Sequence, residues 1–202
     1  MKIILLFLAF LIGNTSAFAR PHVSNNVIYF AVRGTSASAI YTNLVVNGPG
    51  GQSGSAMATT NALISQTFKL HQGKRCRLSR YRINVKVVTR LPRLVSFKRL
   101  SASMRRTWRN FNGYVRRHEA RHKAIYIGCA RRIEAAARRL VRGSSCNGVS
   151  SAIARARYSE LAKCEALHSS YDRREYSRIK RLGLIVRATR KSFNRKKKRR
   201  RK

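Results

Sequence analysis

The sequence predicts an α+β protein in which a small, mostly antiparallel sheet packs on a long antiparallel helical hairpin. Two observations support this fold class. Residues 20–98 contain runs rich in β-branched and aromatic residues, separated by turn-forming Gly and Asn. Residues beyond 105 contain two long stretches whose apolar positions recur every three or four residues, the period of helices that pack lengthwise.

The first 19 residues have the order of a secretory signal peptide. Lys2 precedes an apolar run at 3–12, and Ala17-Phe18-Ala19 supplies a small-residue cleavage site before Arg20. The apolar run is too short to anchor the chain in a bilayer. We therefore expect cleavage after residue 19, a single domain over 20–185, and a periplasmic or secreted protein.

The β-rich part contains four segments, interpreted in order as strand, helix, strand and strand: 27–32, 36–46, 58–70 and 77–89. In the last segment Tyr81, Ile83, Val85 and Val87 alternate with polar residues, which is typical of a half-buried strand. Residues 71–74 are predicted to connect the last two strands as a hairpin. Leu91-Pro92 is predicted to end the sheet.

Two helices are predicted at about 108–142 and 150–182. Each has one apolar stripe with alternating steps of three and four residues. Gly143-Ser144-Ser145 and Asn147-Gly148 break the pattern between them. Because the connection is short, the helices should be antiparallel, and residues equidistant from the turn should face each other.

Four cysteines fit export to an oxidising compartment, and they allow three pairings. Cys129 and Cys164 lie on the two stripes at about equal distances from Cys146, so the hairpin register favours a Cys129–Cys164 disulfide. Cys76–Cys146 would then tie the turn to the N-terminal half. Free thiols are the alternative.

His118-Glu119-Ala120-Arg121-His122 has the form H-E-x-x-H. On a helix this spacing places two imidazoles one turn apart, where both can bind Zn²⁺, with the glutamate as general base toward an activated water. The chain has 6 Asp+Glu against 45 Lys+Arg, so an acid at the required position is informative. Chance occurrence of a short pattern is the alternative.

The hairpin register also suggests a third ligand. Reflecting His118 and His122 across the turn gives Glu175 and Tyr171, so we expect Glu175 to complete a His-His-carboxylate zinc site. Asp172, on the flank of the same stripe, is the competing ligand, whereas His168 should lie one turn too far toward the cysteine. Three protein ligands with an open fourth position are typical of a catalytic site.

These features together resemble a bacterial family of predicted secreted zinc-dependent proteases, a domain otherwise labelled as of unknown function. The resemblance is carried by the signal sequence and by matching residues over most of the mature chain: Cys76, Leu91-Pro92-Arg93, Trp108, His118-Glu119-Ala120-Arg121-His122, Cys146 and Tyr171-Asp172. Members tend to continue Tyr-Asp-x-x-Thr-x-His-Gly. Here Glu175 stands at the Thr position and Ser177 at the His position, so either Glu175 replaces that His as ligand or metal binding is weakened or lost.

The formal net charge is +39. Residues 186–202 are predicted to be a basic disordered tail ending in Lys196-Lys197-Lys198-Arg199-Arg200-Arg201-Lys202, suited to anionic lipid or polysaccharide. Aromatic residues are not interleaved with this run, so no specific nucleic-acid binding is predicted. Cations beside the motif, among them Arg116 and Arg121, should oppose Zn²⁺ entry unless carboxylates offset them.

The sequence therefore predicts an exported, monomeric zinc hydrolase, a metallopeptidase that acts on a peptide or protein substrate. Glu119 would be the catalytic base, His118, His122 and Glu175 the metal ligands, and Tyr171 or Tyr176 a hydrogen-bond donor to the oxyanion. The alternative is a non-enzymatic envelope protein that binds polyanions and has a degenerate metal site.

Overall fold

The computed structural model describes residues 20–51, 54–140 and 142–190. The predicted signal peptide at 1–19 and the final residues of the predicted tail, 191–202, lie outside this range. The elements follow in chain order: β1 (His22–Val32), α1 (Ala37–Asn47), β2 (Gly50–Gly51), β3 (Gly54–Ser55), β4 (Thr59–His71), β5 (Cys76–Leu94), a 3₁₀ turn (Phe97–Arg99), α2 (Ala102–Arg139), β6 (Arg142–Gly143), α3 (Cys146–Lys180) and a last helix, α4, at 183–190. Within these ranges no helix combines the length and the apolar character needed to cross a bilayer.

The predicted α+β class is confirmed. β5 is the centre of the main sheet, with β1 on one side and β4 on the other, and short β6 pairs with the start of β5. β4 runs antiparallel to β5, as expected, and the short β6, which was not predicted, does so too, but β1 runs parallel to β5. Parallel neighbouring strands require a crossover connection. Here the connection from β1 to β5 includes α1 and β4.

The prediction that Leu91-Pro92 ends the sheet is wrong, because β5 continues to Leu94 and pairs with β1 along this stretch. β4 pairs with β5 only as far as Arg90, so Pro92 lies where that side of β5 is a sheet edge. Proline is tolerated at an edge because no ladder hydrogen bond needs its missing N–H group.

The helical hairpin forms with slightly different ends. Ser101 caps α2, its hydroxyl accepting from the Met104 amide at 3.2 Å, and Ser145 caps α3 through the Gly148 amide at 3.1 Å. Asn147-Gly148 therefore lies inside the first turn of α3 and does not break it. Both predicted disulfides are confirmed, with Cα–Cα separations of 5.8 Å for Cys129–Cys164 and 5.0 Å for Cys76–Cys146.

Two apolar clusters hold the hairpin against one face of the sheet. One joins the inward residues of β5 to the disulfide end of α2 and α3, and the other surrounds Trp108 and Phe111 near the start of α2. Leu184 and Ala188 of α4 are buried in the second cluster. The predicted boundary at residue 185 thus falls inside a packed helix, and helical structure continues through residue 190.

Candidate metal centre

Three potential ligand atoms from the two hairpin helices converge. His118 and His122 lie one turn apart on α2, and Asp172 projects from α3. His122 Nε2 is 2.9 Å from Asp172 Oδ1, His118 Nε2 is 3.2 Å from the same oxygen, and the two Nε2 atoms are 3.1 Å apart. The histidine side chains are 11% exposed and that of Asp172 is 54% exposed, so the cluster opens to solvent on the Asp172 side.

These separations fit a tetrahedral zinc ion. Ligand atoms held about 2.0–2.1 Å from a tetrahedral ion lie about 3.3 Å from one another. Hydrogen bonding alone satisfies the cluster poorly. If both Nε2 atoms carried protons for Asp172, two N–H groups would oppose each other across 3.1 Å. A shared cation instead accepts all three lone pairs.

His168 lies behind His122, on the side away from the cluster. The two Nδ1 atoms are 2.7 Å apart, and the imidazole rings stack with centroids 5.0 Å apart. If His122 presents its Nε2 lone pair to a metal, its proton is on Nδ1 and is donated to His168 Nδ1. Such a hydrogen bond fixes the tautomer and the ring orientation of a metal ligand. His168, predicted to lie one turn too far toward the cysteine to be a ligand, instead contacts the predicted ligand His122.

The three histidines are disposed to be neutral. Burial lowers the pKa of His118, His122 and His168 from their ordinary values, and nearby Asp172 opposes this shift. Neutral imidazole is the form that binds metal. Burial therefore favours the protonation state of these histidines that metal binding requires.

Glu119 lies between the two histidines in sequence but projects from a different side of α2. It is buried, and its backbone carbonyl accepts a hydrogen bond from the Thr60 hydroxyl of β4 at 3.3 Å. Burial raises the pKa of Glu119 to about 7, and the Asp172 charge adds to the shift. Its Oε2 has no hydrogen-bond partner among the described residues.

The structure places Asp172, and not the predicted Glu175, beside the histidines. The Tyr114 hydroxyl donates to Glu175 Oε2 at 2.6 Å, and Arg178 donates to Oε1 at 3.0 Å. The hairpin register predicts the correct level along α3, because Tyr171 contacts His122. The register does not specify how α3 is rotated about its axis: Asp172 is about 100° around the helix from Tyr171, and from there it reaches both rings.

Tyr171 is the predicted tyrosine that reaches the site. Its ring stacks on His118 with centroids 4.8 Å apart and meets the edge of His122 at 5.2 Å. Tyr176 is 59% exposed and lies under the Lys180 ammonium, 4.1 Å from its ring centre. Of the two oxyanion candidates, only Tyr171 has a ring contact with the site histidines among the described residues.

Carboxylates are concentrated around this cluster. Glu119, Glu165, Asp172 and Glu175, four of the six acids in the chain, act electrostatically on its histidines or on the tyrosines that pack beside them. Arg116, expected to repel a cation, turns toward the sheet and contacts the ring and hydroxyl of Tyr29. Glu165 was missed from the sequence, although its position one turn before His168 could have indicated it.

Fold and site together define an α+β protein with a candidate metal centre between two disulfide-linked helices. Residues 27–178 match the family described as "Bacterial protein of unknown function (DUF922)", and because this match covers most of the sequence, the chain belongs to that family. No curated protein and no solved structure matches the chain.

Proposed function

We propose that this protein is an exported zinc-dependent hydrolase, a metallopeptidase whose ion is held by His118, His122 and Asp172. The observation that carries the proposal is the convergence of two imidazole nitrogens and one carboxylate oxygen at 2.9–3.2 Å from one another. Two histidines and one carboxylate leave a fourth tetrahedral position for water or substrate, as in catalytic zinc sites.

The surrounding groups support chemistry in addition to binding. Zinc bound at such a site supplies Lewis acidity toward a water and a scissile carbonyl. Glu119 follows His118 on α2, is buried, and has a carboxylate oxygen free to accept a proton, which it would then pass to the leaving amine. His168 would hold the His122 ring in its ligating tautomer, and Tyr171 lies against both ligand rings.

Two further features support the export and the cation preference. The Cys76–Cys146 and Cys129–Cys164 disulfides are consistent with an oxidising compartment such as the periplasm or the extracellular space. Four carboxylates near the site lower the local potential in a chain of net charge +39, so a divalent cation need not enter a purely positive environment.

The decisive experiment separates metal binding from hydrolysis. Zinc content and cleavage of a peptide library are measured for the mature chain, 20–202, and for Glu119→Gln. We expect both proteins to hold about one zinc ion, because Glu119 is not a ligand. Cleavage should fall at least about 100-fold in the variant, because an amide cannot accept the water's proton.

Thr59→Ala, at the start of β4 where Thr59 pairs with Arg90, provides a control substitution that removes no titratable group. It should leave zinc content and cleavage unchanged. A wild-type protein that binds zinc but cleaves no peptide would refute the peptidase assignment, whereas a wild-type protein without zinc affinity would refute the metal site itself. Equal cleavage by wild type and Glu119→Gln would exclude the general-base role.

A further inference from the structure

The outer face of the main sheet carries a line of positive charge. The helices pack on the inward side chains of β5, and the intervening residues Arg82, Lys86 and Arg90 point the other way and are exposed. We call these three residues the cationic strip. At about 3.3 Å per residue, neighbouring cations of the strip are about 13 Å apart and the strip is about 26 Å long.

No carboxylate in the sheet half neutralises this strip. Residues 20–101 contain 13 Lys and Arg and no Asp or Glu, because all six acids of the chain lie in α2 and α3. None of the three strip residues has an ion-pair partner among the described residues. The remaining segment 191–202 is itself basic, so it does not complement the strip.

Amides and hydroxyls lie among the cations, together with the apolar residues Leu63, Ile28 and Val88. On the outer face Asn84 of β5 pairs with Ser65 of β4, and Val88 lies between Asn26 of β1 and Asn61 of β4. Asparagine is depleted in strands because its side chain competes for backbone hydrogen bonds, so three on one face need an explanation beyond propensity. Amide and hydroxyl groups offer both donors and acceptors, which suit the hydroxyls of a sugar.

We propose that this face binds a linear anionic polysaccharide lying along β5. The strip supplies charge at intervals along one line, and the flanking amides supply hydrogen bonds to sugar hydroxyls. Single-stranded nucleic acid fits less well, because binding it relies on aromatic stacking. The outer positions of β5 from 82 to 90, and those of β1 and β4 paired with them, include no Phe, Tyr or Trp.

The test uses the mature chain and two probes, polygalacturonate and inorganic polyphosphate, the second being a polyanion without hydroxyls. The triple variant Arg82→Gln, Lys86→Gln, Arg90→Gln is compared with a control that removes three exposed helix cations: Arg131→Gln, Arg139→Gln, Arg155→Gln. We expect polygalacturonate affinity to fall at least about tenfold in the strip variant and less than about twofold in the control. For the strip variant, the slope of log affinity for polygalacturonate against log salt concentration should become shallower by about 2, because fewer counterions are released.

A second pair of substitutions tests the sugar contacts. The double variant Asn61→Ala, Asn84→Ala should weaken polygalacturonate binding several-fold and leave polyphosphate binding unchanged.

Equal losses of polygalacturonate affinity in the strip variant and its control, or no loss in the strip variant, would overturn the proposed surface. If the asparagine variant binds both probes as wild type does, the polysaccharide assignment is wrong. The polysaccharide assignment is also wrong if the strip variant loses more affinity for anionic phosphatidylglycerol vesicles or for an oligo(dT) strand than for polygalacturonate. Thermal unfolding of each variant checks that these surface changes leave the fold intact.

Discussion

The sheet half and the helical hairpin of this protein use charge in opposite ways. Residues 20–101 contain no acid, and their cations face solvent from the outer side of the sheet and its loops. The hairpin contains every acid, and four of the six surround a buried group of histidines. In a strongly basic chain the carboxylates are thus concentrated where a cation could be bound.

The remaining two acids provide a contrast within the hairpin itself. Glu134 pairs with Arg138 at 2.7 Å, and Glu160 pairs with Arg132 and Lys163. The pairs of Glu160 involve partly exposed cations and contribute little to stability, whereas Glu134 is itself buried and needs Arg138 to compensate its charge. Asp172 instead contacts two histidines whose side chains are only 11% exposed. Acids of the hairpin therefore either pair with Lys and Arg or contact the histidines, and substitutions can separate these two roles.

The largest effect is expected at the histidines. His118→Ala and His122→Ala should each abolish measurable zinc binding, because two remaining protein ligands rarely retain the ion against water. Metal content of the purified mature protein gives the answer. His71→Ala, which removes an exposed histidine at the end of β4, should keep the full amount. Zinc retained by both site variants would mean that the helix motif is coincidental.

The next effect distinguishes two acids of α3. Asp172→Ala should weaken zinc binding by more than about 100-fold, beyond the range seen when only a supporting group is lost. Glu175→Ala should change it by less than about tenfold, because that carboxylate contacts Tyr114 and Arg178. Competition with a chromogenic chelator measures both. The reverse ranking would restore the ligand that the sequence predicts and would reject the observed rotation of α3.

A smaller effect on zinc affinity is expected at His168, which contacts the side of His122 away from the cluster. His168→Ala should lower zinc affinity by about 10–100-fold, because His122 loses the ring that fixes its tautomer. His168→Asn should recover part of this loss, because the amide oxygen can accept the His122 Nδ1 proton. Zinc titrations of the two variants make the comparison. Equal affinities in wild type and His168→Ala would leave His168 a packing residue only.

The sequence predicted those parts of the structure that depend on periodicity. The three-and-four spacing on two long segments was enough to predict an antiparallel hairpin. Reflection about Cys146 gave Cys129–Cys164, and Cys76–Cys146 followed as the remaining pair. The predicted run 58–70 matches β4 to within one residue at each end, and alternation identified β5 except for its last five residues. The parallel pairing of β1 was missed, because it joins segments about 60 residues apart and no local pattern records strand direction.

The site was predicted to within one turn of helix. Reflection placed Tyr171 opposite His122, which the ring contact at 5.2 Å bears out in the structure. Choosing between Asp172 and Glu175 required knowing how α3 is rotated about its axis, and a stripe about 100° wide cannot specify that. The acid nearer the centre of the stripe was therefore preferred, although the flanking one reaches the histidines.

His118, His122 and Asp172 are proposed to bind one zinc ion. X-ray absorption spectroscopy of the zinc-loaded mature protein is the measurement to make, because the spectrum reports the atoms around the metal. We predict four nitrogen or oxygen neighbours at about 2.0–2.1 Å, with the outer-shell signal of two imidazoles and no sulfur. A spectrum showing sulfur ligands, or a six-oxygen shell without imidazole, would rule out this ligand set.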